Sequence, residues 1–223
     1  MRVLIVGGSG YLGQFLVENM LKDDGVQWVG YTYNSKPIAG LLRSSGADDD
    51  DEARYHHDQK CKGYQVDVST GEGTEACIAD ATKTAPLDLV VNCAAISSPG
   101  QCEKDEKLAR DINVPAKLIA ALKKKNDNDK NDDDDNDAGD TPRAEPLLVH
   151  LSTDQVYSGE DKMSTVEGNS PAPINAYGRS KVAAEAGTPV GGWGWGEVVR
   201  HKTKKNPKKP ILFYYYYVSK KMN

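Results

Sequence analysis

Tyr177 and Lys181 stand four residues apart in Tyr177-Gly178-Arg179-Ser180-Lys181. On a helix that spacing puts both side chains on one face. A free phenol titrates at about 10 and is a poor proton donor or acceptor at neutral pH. A nearby ammonium stabilises its phenolate and lowers that value. Tyr177 could then serve as a general acid toward a substrate carbonyl. A Tyr-x-x-x-Lys pattern by itself reads equally well as an exposed helix pair. Its weight comes from the stretch before it, Leu151-Ser152-Thr153-Asp154-Gln155-Val156-Tyr157, which reads as the end of a strand. In an open parallel sheet, ligands bind beyond the carboxyl ends of the strands. A hydroxyl placed there can hydrogen-bond the carbonyl oxygen that becomes an alkoxide.

A second constellation opens the chain. Gly7-Gly8-Ser9-Gly10-Tyr11-Leu12-Gly13 follows the apolar run Arg2 to Val6 and precedes a helical pattern. Gly7 permits a tight turn, Gly10 lets the backbone approach a pyrophosphate, and Gly13 lets the helix pack close to the sheet. The helix start, with Tyr11 and Leu12, presents unpaired N–H groups and partial positive charge to phosphates. Glycines in this strand–turn–helix context predict a dinucleotide site. An oxidised nicotinamide would add its charge to that of Lys181 beside Tyr177, and the reduced cofactor would deliver hydride. The end of the fourth strand, Asn92-Cys93-Ala94-Ala95, is small enough to leave room for such a cofactor.

The tip of the second strand bears on which nicotinamide nucleotide is preferred. An acid there would bind both ribose hydroxyls and repel a 2′-phosphate. Thr32-Tyr33-Asn34-Ser35-Lys36 has no carboxylate. Asn34, Ser35 and Lys36 suit a phosphate instead, so NADP is expected, with NAD as the alternative. Lys36 also reads as an ordinary exposed lysine.

Elements that would position these residues follow from periodicity. Strands are expected at 2–6, 25–32, 63–66, 87–92 and 146–151. Helices are expected at 10–22, 74–84 and 106–125, and another starts at Tyr177. Leu12, Phe15, Leu16 and Met20 would form the inner face of the first helix. Strands alternating with helices predict an α/β doubly wound parallel sheet of the Rossmann type. Two polar stretches, 44–62 and 126–140, read as surface insertions, because their composition cannot bury enough apolar area to offset ordering.

The glycine turn, the Asn-Cys-Ala-Ala strand end, Ser-Thr-Asp-Gln-Val-Tyr and Tyr-Gly-Arg-Ser-Lys occur in one order and spacing over roughly residues 1–185. In this they resemble the extended short-chain dehydrogenase/reductases. With Pro171-Ala172-Pro173-Ile174-Asn175-Ala176-Tyr177, they look most like the branch around dTDP-4-dehydrorhamnose reductase. That branch also holds the regulatory β subunit of methionine adenosyltransferase. The resemblance implies Thr153, Tyr177 and Lys181 as the catalytic trio. It implies Asn113 as the helix asparagine that helps hold Lys181 through water. It implies Asp67, followed by Val68, as the reader of the adenine amino group. Cys93, Ala94 and Ala95 would line the cofactor. The implied activity is NADP-dependent reduction of a 4-keto-6-deoxy nucleotide sugar. The alternative is a non-catalytic dinucleotide-binding subunit in a partner-enzyme complex. A homodimer fits either.

After Glu185 the pattern departs from that family. Gly187 and Pro189 stop the helix. Glu197 to Arg200 is the best remaining strand, and 186–223 reads as an atypical segment rather than a complete substrate lobe. The fold is therefore expected to be truncated or aberrant after about residue 185. Strand five would lie near an unprotected edge, with Phe213 to Val218 as an aggregation-prone strip. The chain as written is expected to be marginally stable and a poor catalyst.

Bulk composition narrows the rest. The formal charge of the 223 residues is −5, but the acids cluster in 48–52 and 126–140 and the bases in 200–223. The body between is near neutral, so no nucleic-acid surface is expected. The apolar run 211–218 is too short to span a bilayer, so no membrane partner is expected. Met1 leads straight into the first strand with no signal-like segment. The four cysteines, 61, 77, 93 and 102, form no Cys-x-x-Cys pair and have no accompanying histidine cluster. Reduced thiols, a cytoplasmic location and no metal are the expectation.

Overall fold

The computed structural model describes residues 1–38, 60–131, 146–158, 171–186 and 215–218, with backbone alone for 126–131 and 215–218. The chain divides into two compact units. One comprises Met1–Ala94 with Lys117–Leu147; the other comprises Ala95–Ala116 with Leu148–Asn223.

The first unit carries β1 (Arg2–Val6), α1 (Tyr11–Lys22), β2 (Trp28–Tyr33), β3 (Cys61–Gln65), α2 (Thr74–Ala81) and β4 (Leu89–Asn92). The run Arg-Val-Leu-Ile-Val is apolar without alternation, as a strand covered on both faces must be. Val3, Leu4 and Ile5 are fully buried. β1 pairs in parallel with β2 on one side and β4 on the other, and β2 pairs in parallel with β3. Chain order reverses direction at β1, which makes the crevice beyond β1 and β4 the topological switch point where ligands bind in such sheets. Val17 and Gly13 are the buried residues of α1, with Leu16, Met20 and Leu21 packed behind them. Phe15 does not join that face. It is half exposed and meets Tyr11 edge-on, ring centroids 5.3 Å apart.

Observed boundaries differ from the periodic reading in instructive ways. β2 starts at Trp28, not residue 25, because Asp23 and Gly25 make a turn first, with the Gly25 N–H donating to Asp23 Oδ1. β3 starts at Cys61, so Cys61 and Lys62 belong to a strand and not to the polar insertion. The rest of that stretch, 44–59, lies outside the described residues.

The expected helix at 106–125 is two helices. Glu106–Asn113 forms one and Ala116–Asn131 the other. Val114 between them is extended, at φ −95 and ψ 116. Pro115 causes the break: it lacks an N–H and pushes the preceding residue out of helical geometry. The break resets the buried face, so Leu108 is exposed while Ala109 and Asn113 are buried. The second helix also takes in the first residues of the polar tract, up to Asn131.

The second unit holds α3 (Pro99–Lys104), α4 (Glu106–Asn113), β5 (Leu147–Leu151) from Leu148 onward, a single turn at Asp154–Val156, and α6 (Ala176–Glu185). The helix Ala116–Asn131 is α5. β6 (Tyr215–Val218) pairs antiparallel with β5, Leu148 opposite Val218 and Leu151 opposite Tyr215. This corrects two expectations: β5 has a partner along that edge, and the partner comes from the strip read as an aggregation hazard. Residues 197–200, the strand expected instead, lie outside the described residues.

Candidate active site

The glycine turn is built so that only glycines fit it. Gly7 has φ +74, a conformation that L side chains rarely adopt. A Cβ on Gly7 would lie 2.7 Å from the Ala94 nitrogen, and a Cβ on Gly13 only 2.4 Å from the Gly7 oxygen. The turn thus nests between the end of β4 and the start of α1. Gly10 differs: its Cβ would touch only the Gly7 oxygen, at 3.1 Å, and otherwise enter open space. Gly10 is also the N-cap of α1, and no side chain caps the helix there. Tyr11 is exposed and Leu12 half-buried in that first turn. First-turn N–H groups around open space fit a diphosphate, and a side chain at position 10 would occupy its place.

Asn34, Ser35 and Lys36 follow β2 and are exposed. The Gln65 side chain at the end of β3 donates to the Asn34 carbonyl at 3.1 Å. Asp67 accepts from the Ser69 amide at 2.8 Å and the Ser69 hydroxyl at 2.6 Å. The Ser69 hydroxyl bond, more than the backbone bonds, holds its carboxyl below the usual range despite partial burial. Asp67 is therefore a fixed anion in the β3–α2 turn, with Val68 half-buried beside it. Cys93 extends β4, its N–H donating to the Val6 carbonyl at 2.8 Å. The Ala94 N–H donates to Asn92 Oδ1 at 3.1 Å.

In the second unit, Tyr177 and Lys181 are buried on α6, at 9% and 3% exposure. Burial decides against the bland alternative of an exposed helix pair. The Tyr177 phenol lies near Thr153, the residue that caps the turn after β5 and whose hydroxyl donates to Asp154 Oδ1 at 3.1 Å. Burial pushes the phenol above its usual value, and the Thr153 side chain pulls it part of the way back. This corrects the expectation of a lowered value: in the chain by itself, loss of water outweighs the stabilisation of the phenolate. Lys181 Nζ donates to the Leu151 carbonyl at 2.7 Å. His150 in β5 is held well below its usual range, first by burial and then by the Lys181 charge, so it is neutral at pH 7.

Asn113, fully buried, accepts from the Ile96 amide at 2.7 Å and donates to the Ile96 carbonyl at 3.1 Å and to the Ser180 hydroxyl at 2.8 Å. It thus contacts α6 directly at the residue before Lys181. Ala95 is exposed just ahead of this segment.

Sequence reasoning missed the residues that hold α6. Asn175 caps the helix by accepting from the Gly178 amide at 2.8 Å, and its amide group donates to Gln155 Oε1 at 2.8 Å. Glu103 accepts from the Ala176 amide at 2.6 Å. Arg179 reaches Glu106 at 2.9 Å. Ser152 donates to Glu185 at 2.6 Å. Asn175 carried a legible signal as a capping residue before a helix. Glu103 and Gln155 carried none. With these ties α6 is held at both ends and along its length.

Residues 3–188 match the model of the NAD dependent epimerase/dehydratase family. The chain belongs to that family. It is 27% identical over 187 residues to a probable low-salt glycan biosynthesis reductase of Haloferax volcanii, covering 83% of this chain and 48% of that protein. It is 28% identical over 181 residues to a probable dTDP-4,6-dihydroxy-2-methyloxan-3-one 4-ketoreductase of Streptomyces antibioticus, covering 81% and 44%. Among solved structures, a hypothetical dTDP-4-dehydrorhamnose reductase from Sulfolobus tokodaii matches with TM-score 0.55 and 28% identity, over 83% of this chain and 51% of that one. The UDP-glucose-4-epimerase of Stenotrophomonas maltophila, solved with bound NAD, shares the fold at TM-score 0.56 and 22% identity, over 83% and 47%. The chain spans about half the length of the curated relatives it matches. The fold is thus a Rossmann-like α/β fold of the extended short-chain dehydrogenase type. No helix among the described residues is long and apolar enough to cross a membrane, and no metal-ligating cluster occurs among them.

Proposed function

We propose that this chain is the dinucleotide-binding part of an NADP-dependent reductase acting on a 4-keto-6-deoxy nucleotide sugar. The observation that carries the reading is the burial of Tyr177 and Lys181, one helical turn apart, with half-buried Thr153 near the phenol. A nicotinamide dinucleotide supplies hydride when bound. The turn Gly7 to Gly13 holds its diphosphate, Asn34 to Lys36 and Asp67 meet its adenosine end, and Cys93, Ala94 and Ala95 border it. Thr153 hydrogen-bonds the substrate carbonyl oxygen. Tyr177, a phenol and therefore protonated at neutral pH, donates the proton that the new alkoxide needs. Lys181 supports the phenolate left behind, and Asn113 steadies Lys181 through Ser180. We read residues 1–185 as the dinucleotide-binding domain and 186–223 as an atypical segment short of a complete substrate lobe. Relatives named as dTDP-sugar reductases support the substrate class.

The test is NADPH oxidation by the full chain with a 4-keto-6-deoxy nucleotide sugar, wild type against Tyr177→Phe. Loss of the general acid should lower turnover on the order of a hundredfold to ten-thousandfold. A Phe variant with near-normal turnover rejects the assignment. Absent turnover with a co-purifying partner enzyme would replace it with the regulatory-subunit reading.

A further inference from the structure

Thr32 takes no part in the contacts proposed so far, yet it touches the glycine turn twice. It is 3% exposed in β2, between Tyr31 and Tyr33. Its hydroxyl oxygen accepts from the Gly7 amide at 2.8 Å. Its carbonyl accepts from the Ser9 amide at 3.3 Å. The first of these bonds falls on the residue with φ +74, where the chain leaves β1. The turn then closes on itself, the Gly10 amide donating to the Gly7 carbonyl at 3.0 Å.

Beyond Thr32 the same strand runs into Asn34, Ser35 and Lys36. That tip is anchored on both sides. Gln65 donates to the Asn34 carbonyl at 3.1 Å. Ile38 is buried in the core with Val3, Val17, Val29 and Tyr31. A single buried residue therefore lies between the turn expected to hold diphosphate and the tip expected to read ribose.

We propose that Thr32 is a positioning residue that fixes the Gly7 to Gly10 turn relative to the ribose-reading tip, so that both ends of an adenosine diphosphate moiety are met at once. The inference rests on the dinucleotide reading above. Valine has nearly the shape of threonine but no acceptor. With valine at position 32, the Gly7 amide loses its partner in a partly buried place. The turn must then rotate to find another, and the amides around Gly10 cease to converge. Serine keeps the acceptor and loses only a methyl group.

Titration calorimetry of the full chain with NADPH and with ADP-ribose tests this, using wild type, Thr32→Val and Thr32→Ser. ADP-ribose probes the diphosphate cradle without the nicotinamide. Thr32→Val should weaken both ligands on the order of tenfold, the loss of one buried hydrogen bond. Thr32→Ser should stay within about threefold of wild type. Amide exchange at Gly7 should quicken in the valine variant and not in the serine variant. A folded valine variant that binds both ligands as wild type does overturns the proposal. So do valine and serine variants that weaken equally, since the methyl and not the hydroxyl would then matter. If the valine variant does not fold, exchange in the wild type decides: an unprotected Gly7 amide overturns the proposal, and a protected one together with tight binding by Thr32→Ser supports it. Failure of the wild type to bind either ligand would be the failure of the dinucleotide reading itself, recognisable because it precedes any substitution.

Discussion

Replacing Gly178 by alanine should destabilise this protein, although the exchange ordinarily stabilises a helix. Alanine inside a helix gains about 1 kcal/mol over glycine. Gly178 lies within α6, between Tyr177 and Lys181. A Cβ there would sit 2.1 Å from the Gln155 carbonyl oxygen and 2.9 Å from the Pro173 Cβ. The oxygen cannot step aside alone. It belongs to the turn after β5, which is closed by the Tyr157 amide donating to the Asp154 carbonyl at 3.1 Å and tied to Asn175 through Gln155 Oε1 at 2.8 Å. Forcing extra volume into a packed place costs about 1–3 kcal/mol and more against backbone. The balance is a net loss of up to about 2 kcal/mol, or a melting temperature lower by up to roughly 8 °C for a chain of this size. The displaced turn also carries Thr153, so its position beside Tyr177 and the substrate carbonyl should shift. Losing one contact of hydrogen-bond strength, about 0.5–1.5 kcal/mol, is roughly a two- to tenfold fall in reduction rate. Thermal melts of the two proteins, followed by single-turnover reduction at a temperature where both are folded, supply the numbers. A variant that melts higher than wild type with an unchanged rate would show that the close approach of turn and helix is not needed.

Gly10→Val should abolish dinucleotide binding while leaving the fold intact, because its side chain enters open space and not a packed wall; calorimetry showing unchanged affinity would contradict the cradle. NADP should bind more tightly than NAD, through Asn34, Ser35 and Lys36, and equal dissociation constants would mean that the tip does not read the 2′-phosphate. Tyr177 ionises above the ordinary phenol value, so its acid form persists through neutrality and is lost only as pH rises past that raised value. Reduction should therefore show no alkaline decline from Tyr177 between about pH 6 and 9. Thr153→Val, which removes the downward pull, should move the ionisation higher still; phenolate absorbance referenced to Tyr177→Phe checks both, and ionisation below the ordinary phenol value of about 10 would refute them.

Much of the first unit was legible in the amino-acid order, because its signals are local. Arg2 to Val6 is apolar without alternation, and glycines follow at once, so strand, turn and helix start could be read from adjacent residues. Tyr177 and Lys181 were legible for the same reason: helical spacing alone puts them on one face. The break at Pro115 was also written in the chain, since proline constrains its own neighbour, and the periodic reading passed over it. Phe15 shows the limit of periodicity, which marks an apolar stripe but cannot say how much of it the sheet covers.

What the tertiary structure decided concerns partners far apart in the chain. Nothing near Thr32 announces that its hydroxyl meets Gly7, 25 residues away. Asn113 reaches Ser180 across 67 residues and Glu103 reaches Ala176 across 73. The pairing of Tyr215–Val218 with β5 depends on an edge that exists only once β5 is in place. The ionisation of Tyr177 divides along the same line. Charge spacing is written in the sequence, whereas burial is a property of everything packed around the phenol, and burial is the larger effect.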